Sequence, residues 1–113
     1  MRAKEITDKA IEQVKKGTDF IVLNYANADM VGHSANFDAT VLSIEAIDKN
    51  LARLVEVAQK HNSVMVITAD HGNAEMSQTY HTSSPVPVII EGIGTAKLRI
   101  GSLIDIAPTI LTL

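Results

Sequence analysis

Cysteine and tryptophan are absent from the sequence, and its aromatic residues are limited to two Tyr and two Phe. Without cysteine, the chain can form no disulfide, no thiolate metal site and no cysteine nucleophile. It also contains no run approaching the ~18 apolar residues of a membrane-spanning helix, and its first residues follow no signal-peptide pattern. These absences predict a cytoplasmic protein that has no contact with a membrane.

An excess of positive charge is also missing, because 10 Lys and Arg face 13 Asp and Glu, which gives a net charge of −3. No basic cluster interrupts this balance, so binding to the phosphates of a nucleic acid is not expected. With 46% hydrophobic and 20% charged residues, the composition is that of a globular protein. The 113 residues fit one domain at roughly 150 residues per domain, with a core of Ile, Val, Leu and Ala.

Apolar periodicity predicts three helices and three strands. Apolar residues recur at three- and four-residue steps in the helical segments, whereas the strands are short apolar runs. The predicted helices span residues 1–17, 38–60 and 103–113, and the predicted strands span residues 20–23, 64–67 and 86–90. The first two strands flank a helix, which predicts a parallel βαβ unit with a right-handed crossover. Because these strands are apolar on both faces, we expect an α/β fold with three α/β/α layers and a mainly parallel sheet.

Candidate functional residues follow the first two predicted strands. Ligands bind beyond the carboxyl ends of the strands in an open parallel sheet, and both strand ends lead into polar segments. The first segment contains Asp29 and His33, whose four-residue spacing places both side chains on one face of a helical turn. The second begins with Asp70 and His71, and His81 lies in the same long loop. Carboxylate and imidazole together suit Zn, Mn or Fe.

Each of these features also has a simpler interpretation. A solvated helix face explains an Asp and a His four residues apart, and a turn with local backbone bonds explains Asp-His-Gly-Asn. His81 alone is typical of a surface loop. Their joint position beyond two strands of one sheet favours a metal site over these separate explanations, since three of the four histidines would share one edge.

Several motifs resemble those of the 2,3-bisphosphoglycerate-independent phosphoglycerate mutases, a family of the alkaline phosphatase superfamily. The resemblance extends from about residue 18 to the end of the chain. It is strongest where Asp-Met-Val-Gly-His is followed by Thr-Ala-Asp-His-Gly-Asn-Ala-Glu. The matching segments are Asn-Ala-Asp-Met-Val-Gly-His-Ser (27–34), Ile-Thr-Ala-Asp-His-Gly-Asn-Ala-Glu (67–75), His-Thr (81–82), Pro-Val-Pro (85–87) and Ile-Ala-Pro-Thr (106–109).

The resemblance implies an alkaline-phosphatase-like fold and an isomerase of glycolysis. Enzymes of this family interconvert 3-phosphoglycerate and 2-phosphoglycerate through a phosphoserine intermediate, with two divalent ions that are usually manganese. Carried over by motif, one ion would be held by Asp29, His33 and His81. The other would be held by Asp70 and His71, which supply only two ligands.

The resemblance also implies that residues 1–113 are the C-terminal part of a phosphatase-like domain. The remaining ligands, an aspartate and the nucleophilic serine, belong to an N-terminal region that nothing here matches, and the phosphotransferase domain has no counterpart either. We therefore expect no catalytic residue in this chain, no mutase activity from it alone, and an exposed apolar surface through which it self-associates. A non-catalytic metal-binding or docking module and a stand-alone metal-dependent phosphoester hydrolase are the alternatives.

Overall fold

The computed structural model describes residues 2–74 and 79–113. Met1 and Glu75, which belong to the predicted first helix and to the motif at 67–75, lie outside the described residues. The described elements are α1 (Ala3–Lys16), α2 (Asn27–Gly32), α3 (Phe37–Lys60), β1 (Met65–Thr68), β2 (Val88–Glu91), a 3-10 turn (Leu103–Asp105) and α4 (Ile106–Leu111). The combination of helices and a sheet agrees with the α/β class that the sequence predicts.

Helix α1 ends where the sequence predicts. Gly17 has φ 78° and ends the helix in the left-handed conformation, which glycine adopts without a Cβ penalty. Thr7 is fully buried, and its hydroxyl donates to the carbonyl oxygen of Ala3 at 2.7 Å. Because that hydroxyl has a single proton, the Tyr25 hydroxyl is the donor in the 2.5 Å bond between the two side chains. This bond ties α1 to the segment that leads into α2.

Helix α3 is the element on which α1 and α2 both pack. Asn36 caps its first turn, since the Asn36 side-chain oxygen accepts a hydrogen bond from the Ala39 amide at 3.0 Å. The Arg53 guanidinium binds the Asp8 carboxylate at 2.5 Å and links α3 to α1. At the other end of α3, His61 is the C-cap residue, and its Nδ1 lies 2.9 Å from the Val57 carbonyl oxygen.

The core of the described residues is aliphatic, as the composition predicts, but it is mostly Ala and lacks the Ile and Val that were expected in it. Among the described residues, the buried apolar side chains are Ala3, Ala10, Leu54 and Ala58. Many larger apolar side chains are exposed instead, including Phe20, Leu42, Ile100, Ile104 and Leu111. Apolar surface is therefore left open along several elements.

Strands β1 and β2 lie within two residues of the predicted second and third strands, but they pair antiparallel. Thr68 at the end of β1 pairs with Val88 at the start of β2. The connecting segment 69–87 therefore begins and finishes at the same end of the strand pair. This return brings the residues that follow β1 close to those that precede β2.

The predicted first strand is not a strand in the structure. Among the described residues the sheet has two strands, β1 and β2, so the predicted parallel βαβ unit and the three-layer arrangement are not confirmed. Residues 21–23 lie instead along a groove beside Ile6 and Ala10 of α1. The physical reason is that a strand requires a hydrogen-bonded neighbour, and an apolar run alone does not supply one.

The predicted C-terminal helix is divided at its start. Ser102 and Asp105 form a capping box at the 3-10 turn, which continues directly into α4. None of the described helices is long and apolar enough to cross a membrane.

Candidate metal centre

Helix α2 places Asp29 and His33 side by side. The amide of His33 donates to the Asp29 carbonyl oxygen at 3.0 Å, which closes one helical turn between them. Their side chains lie on one face, as the four-residue spacing predicts, with 3.2 Å between Nε2 of His33 and Oδ1 of Asp29. The local sequence thus sets this half of the site.

The segment after β1 brings the other two histidines together. Gly72 and Thr82 form an antiparallel bridge, with N···O distances of 3.2 Å and 2.5 Å. The residues just before them, His71 and His81, lie diagonally across this antiparallel bridge, and their side chains meet there. Their rings stack with centroids 3.6 Å apart and an interplanar angle of 17°. Two side chains that lie ten residues apart in the sequence are thus in direct contact.

Three imidazoles converge on one carboxylate oxygen, Oδ1 of Asp29. The Nε2 atoms of His33 and His81 each lie 3.2 Å from it, and Nε2 of His71 lies 3.9 Å from it. The ligand atoms of Asp29, His33 and His81 all lie within 4.8 Å of one another. The structure therefore brings together the three residues that the family resemblance assigns to the first ion.

The donor set fits a divalent ion. Oδ1 of Asp29 is shielded from solvent, and no described residue donates a hydrogen bond to it. A buried carboxylate oxygen without a donor is costly, and a cation between it and the imidazole nitrogens removes that cost. Around a tetrahedral ion bound at 2.0–2.2 Å, ligand atoms lie roughly 3.4 Å apart, close to the two 3.2 Å separations.

Asp70 and His71 form a second pair that adjoins the first cluster. Nε2 of His71 lies 3.5 Å from Oδ1 of Asp70, and Asp70 is 83% exposed. The two neighbours converge here, although adjacent side chains ordinarily diverge. Because His71 also approaches Asp29, it lies between the two groups of candidate ligands. The pair by itself offers two ligands, as the sequence indicates.

Two residues next to the cluster were not recognised from the sequence as parts of it. Asn73 is buried, and its Nδ2 donates to the Tyr80 carbonyl oxygen at 3.2 Å. A Cβ added to Gly32 would lie 1.9 Å from Oδ1 of Asn73. Both lie within the motifs quoted above. Gly32 immediately precedes His33, and Asn73 lies two residues after His71. The motifs themselves were the available signal, but the close approach is visible only in the structure.

Fold and site together define an α/β protein with a candidate metal centre, and comparison with known proteins agrees with this class. A family model described as the metalloenzyme superfamily matches residues 1–113. The chain belongs to this superfamily.

Curated relatives are more specific. The chain is 49% identical, over 98% of its length, to a 2,3-bisphosphoglycerate-independent phosphoglycerate mutase of Acetivibrio thermocellus. It is 50% identical, over its whole length, to the 2,3-bisphosphoglycerate-independent phosphoglycerate mutase 2 of Methanosarcina barkeri. These names confirm the family resemblance that the motifs indicate. The chain spans about a quarter of the length of these relatives, 24% and 23%.

A solved structure is also similar. It is a crystal structure of Leishmania mexicana phosphoglycerate mutase at low cobalt concentration. The TM-score is 0.79 and the identity 35%, and the match covers 84% of this chain and 21% of that one. A two-stranded sheet with flanking helices is thus similar to part of a much longer mutase.

Proposed function

We propose that the chain is the metal-binding segment of a phosphoglycerate mutase that interconverts 3-phosphoglycerate and 2-phosphoglycerate in glycolysis through a phosphoserine intermediate. Asp29, His33 and His81 hold one divalent ion, and Asp70 and His71 supply part of the shell of a second. The observation that carries the proposal is the convergence of three imidazole nitrogens on the shielded oxygen of Asp29. The proposal is also supported by the two curated relatives, which are both named 2,3-bisphosphoglycerate-independent phosphoglycerate mutase.

The chemistry of the ligands limits which divalent ions suit the site. Imidazole and carboxylate together suit Mn²⁺, and they also accept Zn²⁺ and Co²⁺. We propose Mn²⁺ as the resident ion, and the cobalt named for the Leishmania mexicana structure makes Co²⁺ a suitable probe. A pair of divalent ions, when bound, neutralises charge on a transferring phosphoryl group and orients its oxygens.

The residues of this chain bind and orient rather than react. Nδ1 of His33 lies 2.8 Å from the Thr79 carbonyl oxygen. A carbonyl oxygen can only accept, so Nδ1 carries a proton, and Nε2 is the nitrogen that faces Asp29 and would bind an ion there. The stacked rings of His71 and His81 restrict each other's rotation. We assign no nucleophile to this chain, since the family resemblance implies that the phosphorylated serine belongs to another part of the longer enzyme.

The finer fold belongs to the same proposal. Residues 20–23 alternate between exposed and half-buried, with Phe20 65% and Val22 81% exposed, and a period of two residues is that of a strand. We propose that they join a mainly parallel sheet of three α/β/α layers in a longer cytoplasmic enzyme. Residues 1–113 would then be the C-terminal part of its phosphatase-like domain, and the phosphotransferase domain would be supplied by the remainder.

A chimera tests the activity. The matching segment of the Acetivibrio thermocellus relative is replaced with this chain, which is 49% identical to it. We expect conversion of 3-phosphoglycerate to 2-phosphoglycerate that requires a divalent ion. In the chimera, Asp29→Asn should lower kcat at least ~100-fold. Loss of an outer-shell partner of a metal ligand already lowers activity by about 10–100-fold, and Asp29 is itself a proposed ligand.

The matched control is His61→Ala, because His61 lies at the end of α3 and outside the cluster. This variant should keep the turnover of the parent chimera. A chimera that folds and binds Mn²⁺ but converts no phosphoglycerate would contradict the proposed substrate, and the metal site would then have to be assigned to another phosphoester.

A further inference from the structure

Asn73 lies between the two halves of the candidate metal centre. It is 3% exposed, although asparagine is usually a surface residue. One side of its amide contacts α2, where Oδ1 occupies the space that a Cβ on Gly32 would need. From the other side, Nδ2 donates to the Tyr80 carbonyl oxygen at 3.2 Å. One side chain therefore holds the segment before His81 against the helix that carries Asp29 and His33.

The segment that Asn73 holds is also the one that orients His33. The carbonyl oxygen of Thr79, one residue before Tyr80, lies 2.8 Å from Nδ1 of His33. Nδ2 of Asn73 lies 3.5 Å from the same nitrogen. The bond to Thr79 requires the proton on Nδ1, which leaves Nε2 as the nitrogen that faces Asp29. The tautomer of His33 thus depends on where residues 79 and 80 are held.

We propose that Asn73 is a positioning residue that sets the tautomer of His33 and the distance of His81 from Asp29. The inference rests on the proposed metal site and deepens it, because Asn73 touches the backbone beside the ligands and not the ion. Partners of this kind commonly orient metal-bound histidine and strengthen binding. Here one amide serves ligands from two separate segments of the chain.

The chemistry of the position favours an amide over other small side chains. Alanine would leave the Tyr80 carbonyl without this donor and open space beside Gly32. Aspartate has the same shape, but it presents an oxygen to the Tyr80 carbonyl and so repels it. Both changes release residues 79–81 from α2, and only aspartate preserves the side-chain volume.

The test uses the chain with Asn73→Ala, Asn73→Asp and the control Asn24→Ala, which removes an exposed amide. Imidazole tautomers are read without metal from long-range ¹H–¹⁵N correlations, above about pH 6.5, where histidine ordinarily titrates. Affinity is read separately from the visible absorption of added Co²⁺. We expect His33 protonated on Nδ1 in the parent and in Asn24→Ala, and a mixture of tautomers in both Asn73 variants. Co²⁺ should bind about 10–100-fold more weakly to Asn73→Ala.

Two results would overturn the inference. One is a folded Asn73→Ala with the parent's tautomer and the parent's Co²⁺ affinity, which would leave Asn73 a structural role only. The other result concerns Asn73→Asp, and it decides the question if Asn73→Ala does not fold. It is an unchanged His33 tautomer together with tighter Co²⁺ binding, which the added negative charge alone would explain. A parent chain that binds no Co²⁺ would contradict the proposed metal site instead, and the tautomers alone would then decide about Asn73.

Discussion

The rings of His71 and His81 stack with their centroids 3.6 Å apart, although ten residues separate them in the chain. This contact forms diagonally across the antiparallel bridge between their neighbours Gly72 and Thr82. It also places both Nε2 atoms near one oxygen of Asp29, at 3.9 Å and 3.2 Å. Candidate ligands for two ions are therefore in direct ring contact, which predicts that a substitution at either site also affects the other.

Removing a ligand should weaken metal binding. His33→Ala removes one of three converging ligands. Loss of an outer-shell partner lowers metal affinity ~10–100-fold, so we expect loss of this ligand to lower the affinity for Mn²⁺ and Zn²⁺ by more than that. Isothermal titration of the chain is the measurement, with His61→Ala as the control. Identical heats for the parent and His33→Ala would exclude this site.

The chain by itself should not catalyse the mutase reaction. Among the described residues its second candidate site has only Asp70 and His71, and a covalent route that divides a difficult transfer into two easier steps requires a nucleophile. The assay is conversion of 3-phosphoglycerate to 2-phosphoglycerate with excess Mn²⁺, using protein free of host mutase. Metal-dependent turnover that disappears in Asp70→Asn would show that this chain already contains the complete machinery.

A methyl group on Gly32 should disturb both the fold and the metal centre. In Gly32→Ala the new Cβ would lie 1.9 Å from Oδ1 of Asn73, so α2 and Asn73 must separate, at a cost of about 1–3 kcal/mol in the free energy of unfolding. Denaturant unfolding and Co²⁺ titration measure the two effects.

Gly17→Ala is the matched control for that substitution. Its Cβ meets nothing within 4 Å, but φ is +78°, so a backbone cost of about 1–2 kcal/mol is expected without any effect on Co²⁺ binding. Equal Co²⁺ affinities in Gly32→Ala and Gly17→Ala would contradict a role for the contact between Gly32 and Asn73 in the metal centre.

The ion pair between α1 and α3 should make stability depend on pH. The hydrogen bond from Arg53, assisted by Lys4, holds the pKa of Asp8 below its ordinary value of 3.8. A depressed pKa means that the stabilisation is present above that ordinary value and is lost as the pH falls through the folded-state pKa. Near neutral pH, Asp8→Asn should therefore unfold at lower denaturant concentration than the parent, and the difference should vanish in acid.

Asp19→Asn controls for the change in net charge, since no ion pair of Asp19 is recorded among the described residues. High salt should also reduce the effect of Asp8→Asn, because the pair is exposed to solvent. A difference between Asp8→Asn and the parent that persists unchanged into acid would assign the effect to something other than the carboxylate charge.

Exposed apolar side chains predict self-association of the chain. Ile104 is 83% exposed, and Phe20, Leu42, Ile100 and Leu111 are exposed as well. Surfaces of this kind promote association. Sedimentation at rising concentration should show oligomers, and Ile104→Lys should reduce them more than Thr95→Lys, which adds the same charge at an exposed polar position. A strict monomer that binds no hydrophobic dye would contradict the prediction.

Much of the candidate site could be predicted because its signals are local. The four-residue spacing of Asp29 and His33 is a property of any helical turn, and the structure has such a turn at Asn27–Gly32. The length of α3 and the end of α1 at Gly17 likewise follow from apolar period and glycine conformation. Asn73 could not be recognised because it acts through contacts outside its immediate sequence neighbourhood, with Tyr80 seven residues away and His33 forty residues away.

The sequence by itself determined α1 and α3, the approximate positions of β1, β2 and α4, the candidate ligands and the family, since each depends on neighbouring residues or on contiguous motifs. Only the tertiary structure decided that β1 and β2 run antiparallel, that residues 20–23 lie outside the described sheet, and that His81 reaches Asp29. The physical reason is that strand pairing and loop closure depend on which partners are available across space. An apolar run such as 20–23 has the same local preferences whether or not a neighbouring strand is present to accept its hydrogen bonds.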